Sequence, residues 1–349
     1  FQHFPVGKST REFSYHNIHG LAQRGDELWA GTFSQGLNVL NTKTGVIRKY
    51  SSKTPNAGLH SDDFFAILID HNDKIWVGST AGLFLYEDEK DHFQHIPEME
   101  YIFIYDMLED QNGVIWLATY NNGLISFDPG SKEKRSFLPE SDNPNSLLHH
   151  SVVDVFLDGK QQLWVATSGG GFARYDSEKD SFISYTLAKG FPTNNYYDIV
   201  EDDQGLLWIT SNKGLLRFDP ENETYQLFDR GNGLMVSGFN YQSGYKSSDG
   251  TLYFGSLDGF IAFNPSQFEN YNYQPSLVFT GIELFNQEIP ITDQDGILQK
   301  AITYTDKITL EADQNSLSFD IASLGYTKAV NQNIRYRMAG FEKEWQNLN

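Results

Sequence analysis

Two kinds of residue pair in this chain have the types that chemistry needs. Asp62-Asp63 and Asp202-Asp203 are adjacent carboxylates, the groups of general acid–base work. His149-His150 is an imidazole pair, the side chain most often used to hold a metal. Spacing argues against both. Neighbouring residues of an extended strand point to opposite faces, so the two members of each Asp pair do not converge. Asp202-Asp203 also falls in Asp-Asp-Gln-Gly, which is turn composition. No second ligand pair stands at a recognised spacing from His149-His150, so no metal is expected. The chain has 0 Cys, which removes thiolate ligands, Cys nucleophiles and disulfides. Gly-x-Ser-x-Gly, His-Glu-x-x-His and a phosphate loop are all missing, so no cofactor and no catalytic residue is expected.

Charge narrows the partners. The 349 residues carry 26 Lys+Arg against 46 Asp+Glu, a net charge of -20. Such a chain repels phosphate backbones, so direct nucleic-acid contact is not expected. No apolar run reaches the roughly eighteen residues of a membrane-spanning helix. No secretory signal opens the chain. Phe1-Gln2-His3-Phe4 reads as the middle of a longer protein.

The elements that would position any site come from an internal repeat. Its motif is Leu/Ile-Trp-x-Gly/Ala-Thr/Ser, then Gly-Leu/Phe a few residues on. It starts at Leu28-Trp29 and recurs at Ile75-Trp76, Ile115-Trp116, Leu163-Trp164 and Leu207-Trp208. Leu252-Tyr253-Phe254-Gly255-Ser256 is a sixth copy, with Tyr in place of Trp. The mean spacing is about 45 residues, a period that marks stacked supersecondary units. Residues 150–185 show the content of one unit. Val152-Val153-Asp154-Val155-Phe156 is a first strand, and Asp158-Gly159 a tight turn in which Gly supplies positive φ. Gln162 to Thr167 is the second strand. Gly169-Gly170-Gly171 turns the chain into the third strand, Phe172 to Tyr175. Phe182 to Tyr185 is the outer strand.

A short four-stranded sheet is marginal alone and must bury both faces. Radial stacking does this, with the Trp as the wedge between sheets. The expected fold is all-β. Residues 1–270 form a β-propeller of about six four-stranded blades. Residues 271–349 form part of an Ig-like β-sandwich. The sixth blade lacks an outer strand, and residues 1–6 are expected to supply it. Asn270 to Pro275 reads as a linker. Leu277-Val278-Phe279, Ile308-Thr309-Leu310, Leu317 to Ile321 and Ile334 to Met338 read as strands of the second domain.

Asp142-Asn143-Pro144-Asn145-Ser146-Leu147, followed by Leu163-Trp164-Val165-Ala166-Thr167 and Gly169-Gly170-Gly171-Phe172-Ala173-Arg174-Tyr175-Asp176, resembles the two-component regulator propeller repeat. Phe319, Leu324-Gly325-Tyr326, Tyr336 to Phe341 and Glu344-Trp345 resemble the Y-Y-Y domain that follows such propellers. The pairing is similar to the periplasmic sensor region of Bacteroidetes-type hybrid two-component systems. That resemblance implies an oligosaccharide ligand and a homodimer formed through the Y-Y-Y domain. It also implies a membrane-tethered protein with a histidine kinase beyond the membrane, and control of transcription. Family propellers commonly have seven blades, one more than the six found here.

Propellers usually bind ligands at one end of the central channel, which two loop sets reach. Loops entering each first strand offer His16, Asn17, Asp62, Tyr101, His150, Asn195, Tyr196 and Asn240. Loops joining second and third strands offer Phe33, Tyr120, Asn121, Asn122 and Lys213. Aromatic faces with amides and charges suit sugar rings. Asn and Asp also populate ordinary turns for backbone reasons. The competing reading is a propeller enzyme, a glycoside hydrolase or a lyase, since streptogramin lyases have similar Leu-Trp repeats. A WD40-type scaffold is disfavoured by the missing Gly-His and Trp-Asp signatures. Ser247 to Tyr253 resembles the Asp-box of sialidases with its spacing off by one.

Overall fold

The computed structural model describes residues 4–267, 276–292, 296–324, 335–342 and 346–347. The chain divides into two compact units, Phe1–Gln267 and Phe268–Asn349.

Among the described residues the first unit contains six antiparallel sheets, each ordered along the chain. Sheets 1 to 5 have four strands and span 18–50, 64–95, 104–137, 152–185 and 196–228. Sheet 6 has three strands and spans 239–263. In sheet 4 the strands are Val152–Leu157, Leu163–Thr167, Phe172–Asp176 and Ser181–Tyr185, close to the sequence reading.

The first hairpin of sheets 2 to 5 is built around one Asp. In sheet 4, the Asp158 carboxylate accepts the backbone N–H of Lys160 and Gln162, both at 2.9 Å. Its other oxygen accepts the Trp164 indole N–H at 2.9 Å. Asp70–Trp76, Asp110–Trp116 and Asp202–Trp208 repeat this bond at 2.9, 2.9 and 2.8 Å. One carboxylate therefore closes the turn and satisfies an indole donor that would otherwise be buried unpaired. The positive φ of this turn falls on Gln161 (61°), not on Gly159 as the sequence suggested. In sheets 3 and 5 the equivalent position is glycine, Gly113 (80°) and Gly205 (78°), so the Asp carboxylate is the feature all four turns share. Sheet 1 has a shorter hairpin, with Arg24 paired to Glu27, and Trp29 Nε1 finds no partner.

Every repeat tryptophan occupies the same inter-sheet position. Trp29 packs on Phe64 and Ile75 of sheet 2, and Trp76 on Ile104 and Ile115 of sheet 3. Trp116 packs on Val152 and Leu163 of sheet 4, and Trp164 on Tyr196 and Leu207 of sheet 5. Trp208 packs on Leu252 and Phe254 of sheet 6. None is more than 8% exposed. Tyr253 takes this place in sheet 6, with its ring near its own sheet's Tyr245 and Phe260, at 6.4 and 6.2 Å between ring centres.

Of the segment expected to complete sheet 6, the described residues Phe4–Val6 lie against sheet 1 instead, with Val6 bridging Phe13. Phe1, Gln2 and His3 lie outside the described residues. Phe4 packs edge-on to Phe13 at 5.7 Å, in a cluster with Ala30, Leu40 and Ile47 of sheet 1. Ile47 donates to the Thr10 carbonyl at 2.7 Å, and Lys49 to that of Gly7 at 2.7 Å. The apolar residues of this segment thus cover the open face of sheet 1.

The second unit holds a three-stranded sheet and a two-stranded ladder among the described residues. Ser276–Leu284 pairs with Leu317–Leu324 on one side and with Gln287–Glu288 on the other. Arg335–Tyr336 pairs with Gln346–Asn347. Ile308 to Leu310 joins no ladder; Ile308 packs beside Ile282, Ile289 and Leu298 instead. The expected linker, Gly325, Tyr326, Ile334, Glu344 and Trp345 lie outside the described residues.

Candidate functional site

The first strand of each sheet lies next to that of the following sheet, from sheet 1 through sheet 6, and that of sheet 6 also meets that of sheet 4 across the interior, so these strands line the axis. In sheets 2 to 5 each carries one extra residue at the same register position, a β-bulge. The bulged residues are Phe65, Tyr105, Val153 and Tyr197, and His19 takes the corresponding place in sheet 1. A bulge re-aims a side chain, and here the re-aimed rings meet across sheet boundaries. His19 lies 4.5 Å from Phe65, and Phe65 lies 6.0 Å from Tyr105. Tyr241 of sheet 6 lies 6.2 Å from Tyr105 and 4.8 Å from Tyr197. Phe33, Phe103 and Tyr120 extend the belt towards one mouth. Phe33 is 6.3 Å from both His19 and Phe65, and Phe103 is 5.7 Å from Tyr120. Burial raises the Tyr105 and Tyr197 hydroxyl pKa values and lowers that of His19, against the pull of Asp63. Each of these three shifts favours the uncharged form of its group.

Behind the belt stand three carboxylates, one residue after the bulge in sheets 3, 4 and 5; Asp154 and Asp198 are buried and Asp106 is half-buried. Asp106 accepts the Val155 backbone N–H at 3.2 Å. Asp154 accepts that of Ile199 at 2.9 Å, and Asp198 accepts that of Gly244. Each thus ties its sheet to the next. Burial raises the pKa of Asp106 and Asp198, and Asp154 is raised by burial and by the Asp198 charge. Asp154 and Asp198 also line a cavity of about 380 Å³ with Phe156, Val200, Glu201 and Lys246.

The residues expected from sequence distribute unevenly. Phe33 and Tyr120 join the belt, at 44% and 47% exposure. Asn17, whose carbonyl accepts the Phe33 N–H at 3.1 Å, and Asn121 and Asn122, after Tyr120, sit exposed at the same mouth. Lys213 and His150 are exposed in loops at that end, while His16 packs on Tyr15 at 4.4 Å. Asn195 is half-buried and bridges Ser168. Asp62 is consumed by the Ser52 N–H and hydroxyl, at 2.7 and 2.9 Å. Tyr101 is 82% exposed at φ 60°. Asn240 donates to the Ser256 carbonyl at 3.3 Å. Tyr196 requires a correction. It is 0% exposed, edge-on to Phe172 at 5.0 Å between sheets 4 and 5, because the bulge turns Tyr197 to the axis instead. His149 accepts the Ser151 N–H at 3.0 Å, and among the described residues no three His, Asp or Glu side chains could hold a metal.

Aligning the repeats on their first strands would have found the missed residues. His19-Gly20, Phe65-Ala66, Tyr105-Asp106, Val153-Asp154 and Tyr197-Asp198 form two columns, one large and one small or acidic. The Trp motif drew attention to the second strand instead.

Fold and repeat together define a β-propeller protein. The two component regulator propeller family model matches residues 100–121 and 190–213. Histidine kinase P4 of Formosa agariphila is 26% identical over 402 aligned positions, covering 99% of this chain. The chain spans 29% of the length of that relative. The extracellular domain of a hybrid two-component system from B. thetaiotaomicron has the same fold at TM-score 0.58 and 22% identity, over 99% of this chain and 52% of that one. An inactive variant of virginiamycin B lyase from Staphylococcus aureus superposes at TM-score 0.53 and 15% identity, over 72% of this chain and 82% of that one. The family model thus matches parts of two of the repeats, and nearly the whole chain is similar to part of a histidine kinase and, in fold, to the extracellular domain of a hybrid two-component system. Among the described residues no helix is long and apolar enough to cross a membrane.

Proposed function

We propose that this chain is the extracytoplasmic sensor of a hybrid two-component histidine kinase and takes an oligosaccharide into its aromatic channel. The belt carries the reading. Rings from sheets 1, 2, 3, 5 and 6 converge on one axis and remain partly open to solvent at one mouth. A sugar ring is apolar on its faces and polar at its rim. Stacked aromatics take the faces, and exposed amides such as Asn17 and Asn121 serve the hydroxyls. Shifts that favour the uncharged forms of Tyr105, Tyr197 and His19 suit such a ligand better than an ion. In this reading the whole protein is anchored in the inner membrane with its sensor in the periplasm. It dimerises through the second unit and passes its signal to a kinase. Signalling requires tighter binding to one arrangement of the sensor than to another.

Calorimetry on the complete extracellular region, with hexasaccharides of several linkages, tests this. One family of sugars binds, and Tyr120→Ala weakens it about 5- to 30-fold, the equivalent of roughly 1–2 kcal/mol of stacking. If every carbohydrate fails while a peptide or small metabolite binds, the ligand class is wrong.

A second reading, cleavage of a glycan, draws on Asp154 and Asp198 beside their cavity. Against it, each carboxylate is already engaged by the next sheet's backbone. Product formation that disappears in Asp198→Asn would favour cleavage.

A further inference from the structure

Sheet 6 breaks the repeat at the belt. Its first strand pairs Phe239 with Ser256 and resumes only at Gly244, opposite Phe254. Asn240–Ser243 therefore stand outside the ladder, where sheets 2 to 5 insert one residue. Gln242 holds φ at 48°, a conformation disfavoured for a residue with a Cβ. Contacts across the axis hold this excursion. Tyr241 stacks on Tyr105 with the rings 23° apart and meets Tyr197 edge-on. The Gln242 side-chain amide donates to the carbonyls of Tyr105 and Val153. The next residue but one, Gly244, donates to Asp198. One short segment thus touches sheets 3, 4 and 5. Even so, Tyr241 is 45% exposed and Asn240 is open to solvent. It is clamped at a few points, not packed into a core.

We propose that Asn240–Ser243 is a displaceable plug in the ligand channel, and that ligand entry ejects it. The proposal rests on the channel reading above. Tyr241 occupies the faces of Tyr105 and Tyr197 that a sugar ring would take, so plug and ligand compete. A closed plug lowers the apparent affinity by the fraction of channels that are open. Its displacement moves the first strand of sheet 6, the last sheet before the chain enters the second unit at Phe268. Occupancy is thereby converted into a strand movement.

The test compares the complete extracellular region with its Tyr241→Ala variant, using the hexasaccharide that binds best by calorimetry. The plug predicts that Tyr241→Ala binds at least 10-fold tighter. Unchanged or weaker binding overturns it, and leaves the channel reading standing with Tyr241 as an ordinary stacking platform. Hydrogen exchange on the ligand-free protein judges the plug without any sugar. Amides of residues 240–244 must exchange at least 10-fold faster than those of Val155 and Ile199 in the neighbouring inner strands. Equal protection means that the segment does not open and overturns the plug. If no hexasaccharide binds, the channel reading fails and the exchange result alone decides the plug.

Discussion

Replacing Asp158 by Ala removes the acceptor for three donors at once. The Trp164 indole N–H is fully buried and would be left unpaired, at a cost of about 1–3 kcal/mol. The Lys160 and Gln162 backbone N–H groups lie in a turn that water reaches, so each loses only about 0.5 kcal/mol. The expected loss is about 2–4 kcal/mol. Asp203→Ala is the control. Asp203 follows in the equivalent turn of sheet 5, but it is exposed and its ion pair with Lys246 at 2.7 Å is worth at most about 1 kcal/mol. Urea titration followed by near-ultraviolet circular dichroism gives both values. A cycle with Trp164→Phe isolates the bond, because without the indole donor the Asp158→Ala penalty should shrink by about 1–3 kcal/mol. Equal losses for Asp158→Ala and Asp203→Ala, together with no coupling to Trp164, would refute the argument. Sheet 1 supplies the internal comparison: Trp29 packs well without this bond, so the wedge and the turn lock are separable.

Two more outcomes follow from the same geometry. Asp106, Asp154 and Asp198 keep protons in the folded chain where the unfolded chain has released them, Asp106 to about pH 6 and Asp198 to about pH 7. The folded state then binds more protons between about pH 4 and 7, so these groups lower stability as pH rises through that window. Asp154→Asn keeps an acceptor for Ile199 and removes the charge; its melting temperature should exceed the parent's at pH 8 and converge with it at pH 4, whereas parallel curves would contradict the assignment. Gly171→Ala should cost well over about 1 kcal/mol, since φ is 87° and a Cβ would run into the Tyr185 carbonyl. Gly45→Ala, at φ 71° in open space, should cost less in the same melting assay.

A single repeat read alone does not reveal the belt, for a definite reason. Strand alternation assigns neighbours to opposite faces, and a bulge shifts that assignment by one. Tyr196 and Tyr197 are chemically equivalent in the sequence, and only the bulge decides that Tyr196 enters the core and Tyr197 the axis. Asp198 looked like any other strand carboxylate, yet it meets a backbone donor from a sheet more than forty residues away. The excursion at Asn240–Ser243 bonds its own sheet through Asn240 and Ser243, while Tyr241 and Gln242 reach three other sheets.

What the sequence determined by itself was the repeat and its consequence. Short strands of fixed period, each with an indole at one place, cannot bury both faces unless neighbouring sheets cover them, so stacking around an axis follows from composition and spacing. The tertiary structure alone decided which side chains reach that axis. That depends on register, on bulges and on donors contributed by the next sheet, and these are relations between segments distant in the chain that no local pattern encodes.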